Sequence, residues 1–240
     1  MNSWSERAIL VTSFILITSV AHANQINVTF NGVSATNPTL TIKDSFAGFG
    51  PETGYIDPYK GTIGGQSVLL FCVDPYQMAP SVGKTWTVNV ETPGNVSSMS
   101  TSFQMLNTPL TGRSGLTDNQ ADLLYEEMAR LIVMLEVPSN TKLTEQEIQA
   151  AIWQLADPNL TFPNAPSGFS LTQVNSFEND ARANPLTSGF EVLTDSNNKY
   201  QEYVVLTPEP STFLMVAAGL IGLFVFSRNR AISKRSIPSF

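Results

Sequence analysis

Thr144-Glu145-Gln146-Glu147-Ile148-Gln149-Ala150-Ala151-Ile152-Trp153-Gln154-Leu155 decides how the rest of this chain is read. Thr144 and Glu147 form a capping box, and Ile148, Ala151, Ile152 and Leu155 recur at helical spacing before Asp157-Pro158 stops the run. The apolar residues go nearly all the way round this helix, so it is expected inside the protein. Gln149 shares a side with Ile152 and Trp153, three and four residues on, which draws its amide into the core. A buried amide without a partner costs about 1–3 kcal/mol, so Gln149 needs a defined partner, and a strand backbone is the plainest one.

Working outward, a first helix is predicted from the Thr117–Gln120 capping box through Leu123, Leu124, Met128, Leu131, Ile132 and Leu135, stopped by Val137-Pro138. A third, weaker helix covers 171–183. Upstream, Asn24–Phe30, Thr39–Ile42, Ser67–Val73 and Lys84–Glu91 carry strand patterns. Gly48-Phe49-Gly50-Pro51 and Gly61–Gly65 read as loops. Downstream, Gly189–Thr194 and Lys199–Leu206 flank Asp195-Ser196-Asn197-Asn198 as a closing hairpin. The expectation is an α+β fold: one extracellular domain over 24–206, with a β-rich N-terminal part, central helices and a C-terminal hairpin.

The chain has 240 residues, one cysteine and one histidine. From Asn24 to Thr207 it carries eight basic side chains against eighteen acidic, a net charge of −10. Such a body has no basic face for phosphate, so nucleic acid is not an expected partner. Without histidine in that segment, Ser-His-Asp and Cys-His catalysis and a Cys/His zinc site are excluded, and one cysteine makes no internal disulfide. No metal site and no cofactor are expected.

Both ends read as addresses. Arg7, the apolar run Ala8–Val20 and Ala21-His22-Ala23 form a secretory signal peptide over 1–23, the other reading being a membrane anchor or buried helix. At the far end, Pro208-Glu209-Pro210 precedes an apolar segment, 212–226, long enough to be a transmembrane helix with its flanks. Arg228, Arg230, Lys234 and Arg235 then form a basic cluster that keeps the tail cytoplasmic and the body outside. A glycolipid-anchor signal would end in its apolar tail, without that cluster.

This tail, roughly 207–235, resembles the PEP-CTERM sorting signal of Gram-negative bacteria. The resemblance implies processing by an exosortase-type membrane enzyme near Pro208-Glu209-Pro210. It also implies a route by way of the inner membrane to the cell surface or a biofilm matrix.

An exported chain with a lone thiol needs an account of it. Cys72 lies in Leu69-Leu70-Phe71-Cys72-Val73-Asp74, late in an apolar strand, and one reading is a small buried hydrophobe. Phe71-Cys72-Val73 followed by Ile148-Gln149-Ala150-Ala151-Ile152-Trp153 also resembles the thioester domains of Gram-positive surface adhesins. The resemblance spans about 65–156 and implies an internal thioester between Cys72 and Gln149, with a supporting pocket of Phe71, Asp74, Ile152 and Trp153. It implies covalent capture of a surface amine such as lysine, in a single turnover rather than enzyme catalysis. Asp74 has a second reading, capping a turn with Pro75.

The competing reading is a non-catalytic matrix protein on exopolysaccharide, with Tyr55, Tyr59 and Tyr76 able to stack on sugars. A glycosidase would draw on Glu126, Glu127, Glu145, Glu147 or Asp157, most of them on helix faces or caps where solvated charge is the norm. Thr39-Leu40-Thr41 and Thr85-Trp86-Thr87 are too few for an ice-binding array, and no calcium-loop spacing is present.

Overall fold

A computed structural model of the chain describes residues 25–33, 38–44, 49–56, 58–92 and 116–207. The expected signal peptide over 1–23, Pro208-Glu209-Pro210, the segment 212–226 and the four basic residues after it lie outside the described residues. Among the described residues no helix is long and apolar enough to cross a membrane.

Six strands close into an antiparallel barrel in the order β1 (Gln25–Gly32), β4 (Tyr59–Ile63), β5 (Gln66–Cys72), β8 (Tyr203–Leu206), β7 (Phe190–Asp195) and β6 (Thr85–Glu91). β6 returns to β1 with Val28 opposite Trp86. The C-terminal hairpin is therefore no appendage, because β7 and β8 fill the gap between β5 and β6. Its turn is held by Asp195, whose carboxylate accepts the backbone N–H groups of Asn197, Lys199 and Tyr200. Rings from four strands meet inside: Tyr59 with Phe30 at 5.5 Å, Tyr59 with Tyr203 at 5.7 Å, and Trp86 with Tyr203 at 6.2 Å between centroids.

β2 (Thr39–Asp44) and β3 (Phe49–Tyr55) make a separate two-stranded sheet. The sequence reading missed β3 and β4 because their glycines and proline read as breakers. Pro51 is tolerated since β3 pairs only with β2 among the described residues, leaving an edge where no N–H is needed. Gly61 is required inside β4, where a Cβ would stand 2.7 Å from Leu70. Gly64 and Gly65, with φ of 56° and 83°, form the two-residue turn of the β4–β5 hairpin.

The three helices are α1 (Asp118–Leu135), α2 (Lys142–Ala156) and α3 (Leu171–Ala183). α1 begins at the expected capping box of Thr117 and Gln120. α2 begins earlier than its sequence suggests: Thr141 is the N-cap, accepting from the Thr144 N–H at 3.1 Å, and Thr144 is already helical. Gln149 thus sits two turns into the helix. α2 packs against α1, α3 and β2, which is why residues 147–153 are all buried.

Candidate functional site

Cys72 is the last residue of β5, and Tyr203 and Tyr59 are the first of β8 and β4, so all three mark one end of the barrel. Cys72 pairs directly with Tyr203 and Leu70 with Tyr59, so alternation turns the Cys72 side chain inward with those rings. Phe71 points the other way, with its cross-strand partner Val204. It is buried at 2% exposure, on the face of the strand opposite the Cys72 side chain.

Gln149 and Cys72 meet. The Gln149 amide Nε2 donates to the backbone carbonyl of Cys72 at 3.0 Å, and both residues are at most 3% exposed. The partner is a strand carbonyl, as an ordinary buried glutamine would choose, and the strand residue is Cys72 itself. Ile152 is fully buried on the same helix. The Cys72 thiol donates to the Asp74 carbonyl at 3.2 Å. Burial pushes that thiol far above its ordinary pKa and the nearby Asp74 charge adds to it, while the Trp153 indole and the Asp74 backbone pull it back.

Asp74 is an anchor for the loop that follows. Its carboxylate accepts the Tyr76 N–H at 2.8 Å, and burial pushes its pKa up to about 6 against the backbone N–H groups of Tyr76, Gln77 and Glu202, which pull it down. This fits the turn-capping reading of Asp74-Pro75. The Tyr76 hydroxyl donates to Asp157, at the C-cap of α2, and lies 3.2 Å from an Asp44 oxygen at the end of β2. One phenol therefore ties the loop after Cys72 both to the helix carrying Gln149 and to the β2–β3 sheet.

Trp153 covers this end of the barrel. Its ring lies so close to Gly54 of β3 that a Cβ there would stand 2.5 Å from Cη2, so only glycine lets the strand lie flat on the indole. Outside the ring is a groove of about 430 Å³, lined by Tyr55, Tyr59, Tyr76, Met78, Trp153 and Gln201 among others. Sequence reasoning missed Gly54, Gln201 and Met78; Gly54 lay in a stretch read only for its turn residues.

Three of the acids weighed for glycoside hydrolysis have structural partners. Glu147 accepts the Ser170 N–H at 2.9 Å, Glu127 lies 3.9 Å from Arg182, and Asp157 accepts from Asn159 at 2.8 Å. Among the described residues no group of three or more acids, cysteines or histidines could hold a metal.

A model of the PEP-CTERM protein-sorting motif matches residues 206–230, taking in Pro208-Glu209-Pro210, Arg228 and Arg230. The chain carries that sorting motif, the kind processed by exosortase in exported proteins. No curated protein matches the chain. Among solved structures it is similar to the N-terminal thioester domain of a surface protein from Clostridium perfringens. That match has 9% identity and a TM-score of 0.42, over 77% of this chain and 98% of the other.

Proposed function

We propose that this is a surface or matrix protein delivered by its sorting motif, and that Cys72 and Gln149 form an internal thioester that captures an amine. The observation that carries the reading is the Gln149 amide donating to the carbonyl of Cys72 at 3.0 Å, with both residues buried. In forming the bond, the Cys72 sulfur joins the Gln149 acyl carbon, the C–N bond breaks, and the thiol proton leaves with the nitrogen as ammonia. In capture, a primary amine joins that carbon, the C–S bond breaks, and the amine's proton ends on sulfur, leaving an amide and a free thiol. The buried, ring-lined position protects the ester from water until the nucleophile arrives through the groove. Each molecule acts once.

The reading is tested by intact mass of the purified protein with and without methylamine. A mass short by one ammonia, replaced by a methylamine adduct and absent in a Cys72→Ala variant that still folds, is the expected result. A full-length mass with no adduct in the wild-type protein overturns it.

The second reading is a non-catalytic matrix protein that binds exopolysaccharide, with Cys72 as a packing residue. The groove supports it, since Tyr55 is 43% exposed there beside Tyr76 and Trp153, a surface on which a sugar ring could stack. Retention of polysaccharide by Cys72→Ala and its loss in Tyr55→Ala would favour this reading.

A further inference from the structure

Trp153 is 1% exposed, and its buried indole N–H makes no hydrogen bond of ordinary geometry among the described residues. Leaving a buried donor unpaired costs stability, and that cost calls for a reason. Trp153 follows Gln149 by four residues on α2, so the two project from one helix face to one target. Gln149 takes the Cys72 carbonyl, and the indole faces the Cys72 sulfur closely enough to oppose the rise in its pKa that burial causes.

The other polar groups around the sulfur are committed. The Tyr203 hydroxyl donates to Gln201 at 3.2 Å, and Tyr59 is also hydrogen-bonded to Gln201. The Asp74 carboxylate is occupied by backbone N–H groups. The six-membered edge of the indole lies against Gly54, where a Cβ would stand 2.5 Å from Cη2.

We propose that Trp153 is a catalytic residue of the thioester chemistry, its indole N–H donating to the Cys72 sulfur as that atom becomes anionic. This rests on the thioester reading above. When an amine adds to the Gln149 acyl carbon, the C–S electron pair passes to sulfur, and a donor there stabilises the charge before the amine's proton neutralises it. The same donor favours the thiolate that attacks the Gln149 amide carbon when the bond is made and ammonia leaves. A donor that faces the sulfur without a hydrogen bond of ordinary geometry at rest, and tightens as charge appears there, is what differential stabilisation requires.

The experiment uses the full-length protein and three readouts: intact mass, the rate of methylamine adduct formation, and the rate of hydrolysis in buffer without amine. Trp153→Phe keeps most of the ring and removes the N–H. Replacement of Trp153 by 3-benzothienylalanine keeps the shape as well, and covers the case in which the phenylalanine variant misfolds. Both rates are expected to fall by roughly ten- to a hundredfold, because both break the C–S bond. After the ring is opened by methylamine, alkylation of the freed Cys72 thiol should require higher pH in the variant than in the wild type. Rates equal to wild type overturn the proposal. Faster hydrolysis also overturns it, because it would make the indole a water shield. A wild-type protein with full mass and no adduct sinks the thioester reading instead, and the two failures are thereby told apart.

Discussion

Two buried polar clusters lie within a few residues of each other on this barrel, and they are finished to different degrees. On the flank, Glu202 is fully buried with both carboxylate oxygens taken, one by the Tyr125 hydroxyl and the other by Thr194. Its carbonyl accepts the Val73 N–H at 3.2 Å, and its own N–H goes to Asp74. At the barrel end, Cys72 has a weak sulfur hydrogen bond at 3.2 Å, and the Trp153 donor has no partner in ordinary range. The flank fits a cluster whose work is stability, where each group is satisfied at rest. The end fits a cluster whose charge appears only during a reaction.

The comparison is tested hardest by removing Glu202. Glu202→Ala takes the acceptor from two buried hydroxyls at once, and a loss of about 2–5 kcal/mol is expected in urea unfolding. The methylamine reaction of the molecules that remain folded should be unchanged. A loss below about 1 kcal/mol would mean the flank network is not the stabilising half of the pair.

Asp74 stands between the two clusters and gives the next largest effect. Its folded carboxyl keeps a proton up to about pH 6, whereas the unfolded chain releases it near 3.8. Between those values the folded state binds more protons, so stability falls as pH rises through that window, by about 2–3 kcal/mol in total. Carboxylates with lowered pKa give the opposite slope. Unfolding measured from pH 4 to pH 7 should show this decline in the wild-type protein and a flatter profile in Asp74→Asn. An unchanged slope in the variant would assign the decline to another group.

The sequence made the helices legible because they are written locally, whereas the link between Cys72 and Gln149 came from a resemblance, and the structure shows the Gln149 amide on the Cys72 carbonyl. A capping box and a 3.6-residue period mark α1 without knowledge of the rest, α3 carried a weaker signal, and Phe71-Cys72-Val73 with Ile148-Gln149 carried the resemblance to a thioester site. The start of α2 was misplaced by a turn because Thr141 and Thr144 are both good caps, and packing against α1 and β2 decides between them. Closure of the barrel was not legible, since β1–β6 and β5–β8 join segments far apart in the chain. β3 and β4 hid behind Gly50, Pro51, Gly54 and Gly61, which look like breakers until Trp153 and Leu70 are seen pressing on Gly54 and Gly61. Phe71 entered the expected pocket through the resemblance, and in a strand it faces away from its neighbour Cys72.

The smallest effect is the most discriminating. Trp86, inside the same barrel, also buries an indole N–H without a partner in ordinary range among the described residues, beside Tyr200 at 6.1 Å and Tyr203 at 6.2 Å. It is an internal control, an unpaired donor among rings with no nucleophile assigned to it. Trp86→Phe loses some buried ring area and also removes an unsatisfied donor, so the two terms oppose and stability should change by about 1 kcal/mol or less. Its methylamine rate should stay within about twofold of wild type, set against the much larger drop expected for Trp153→Phe. If Trp86→Phe slowed the reaction as much, the rate would depend on how tightly the aromatic end is packed. An unpaired indole would then carry no information about where charge develops, and the contrast between flank and end would reduce to a difference in packing.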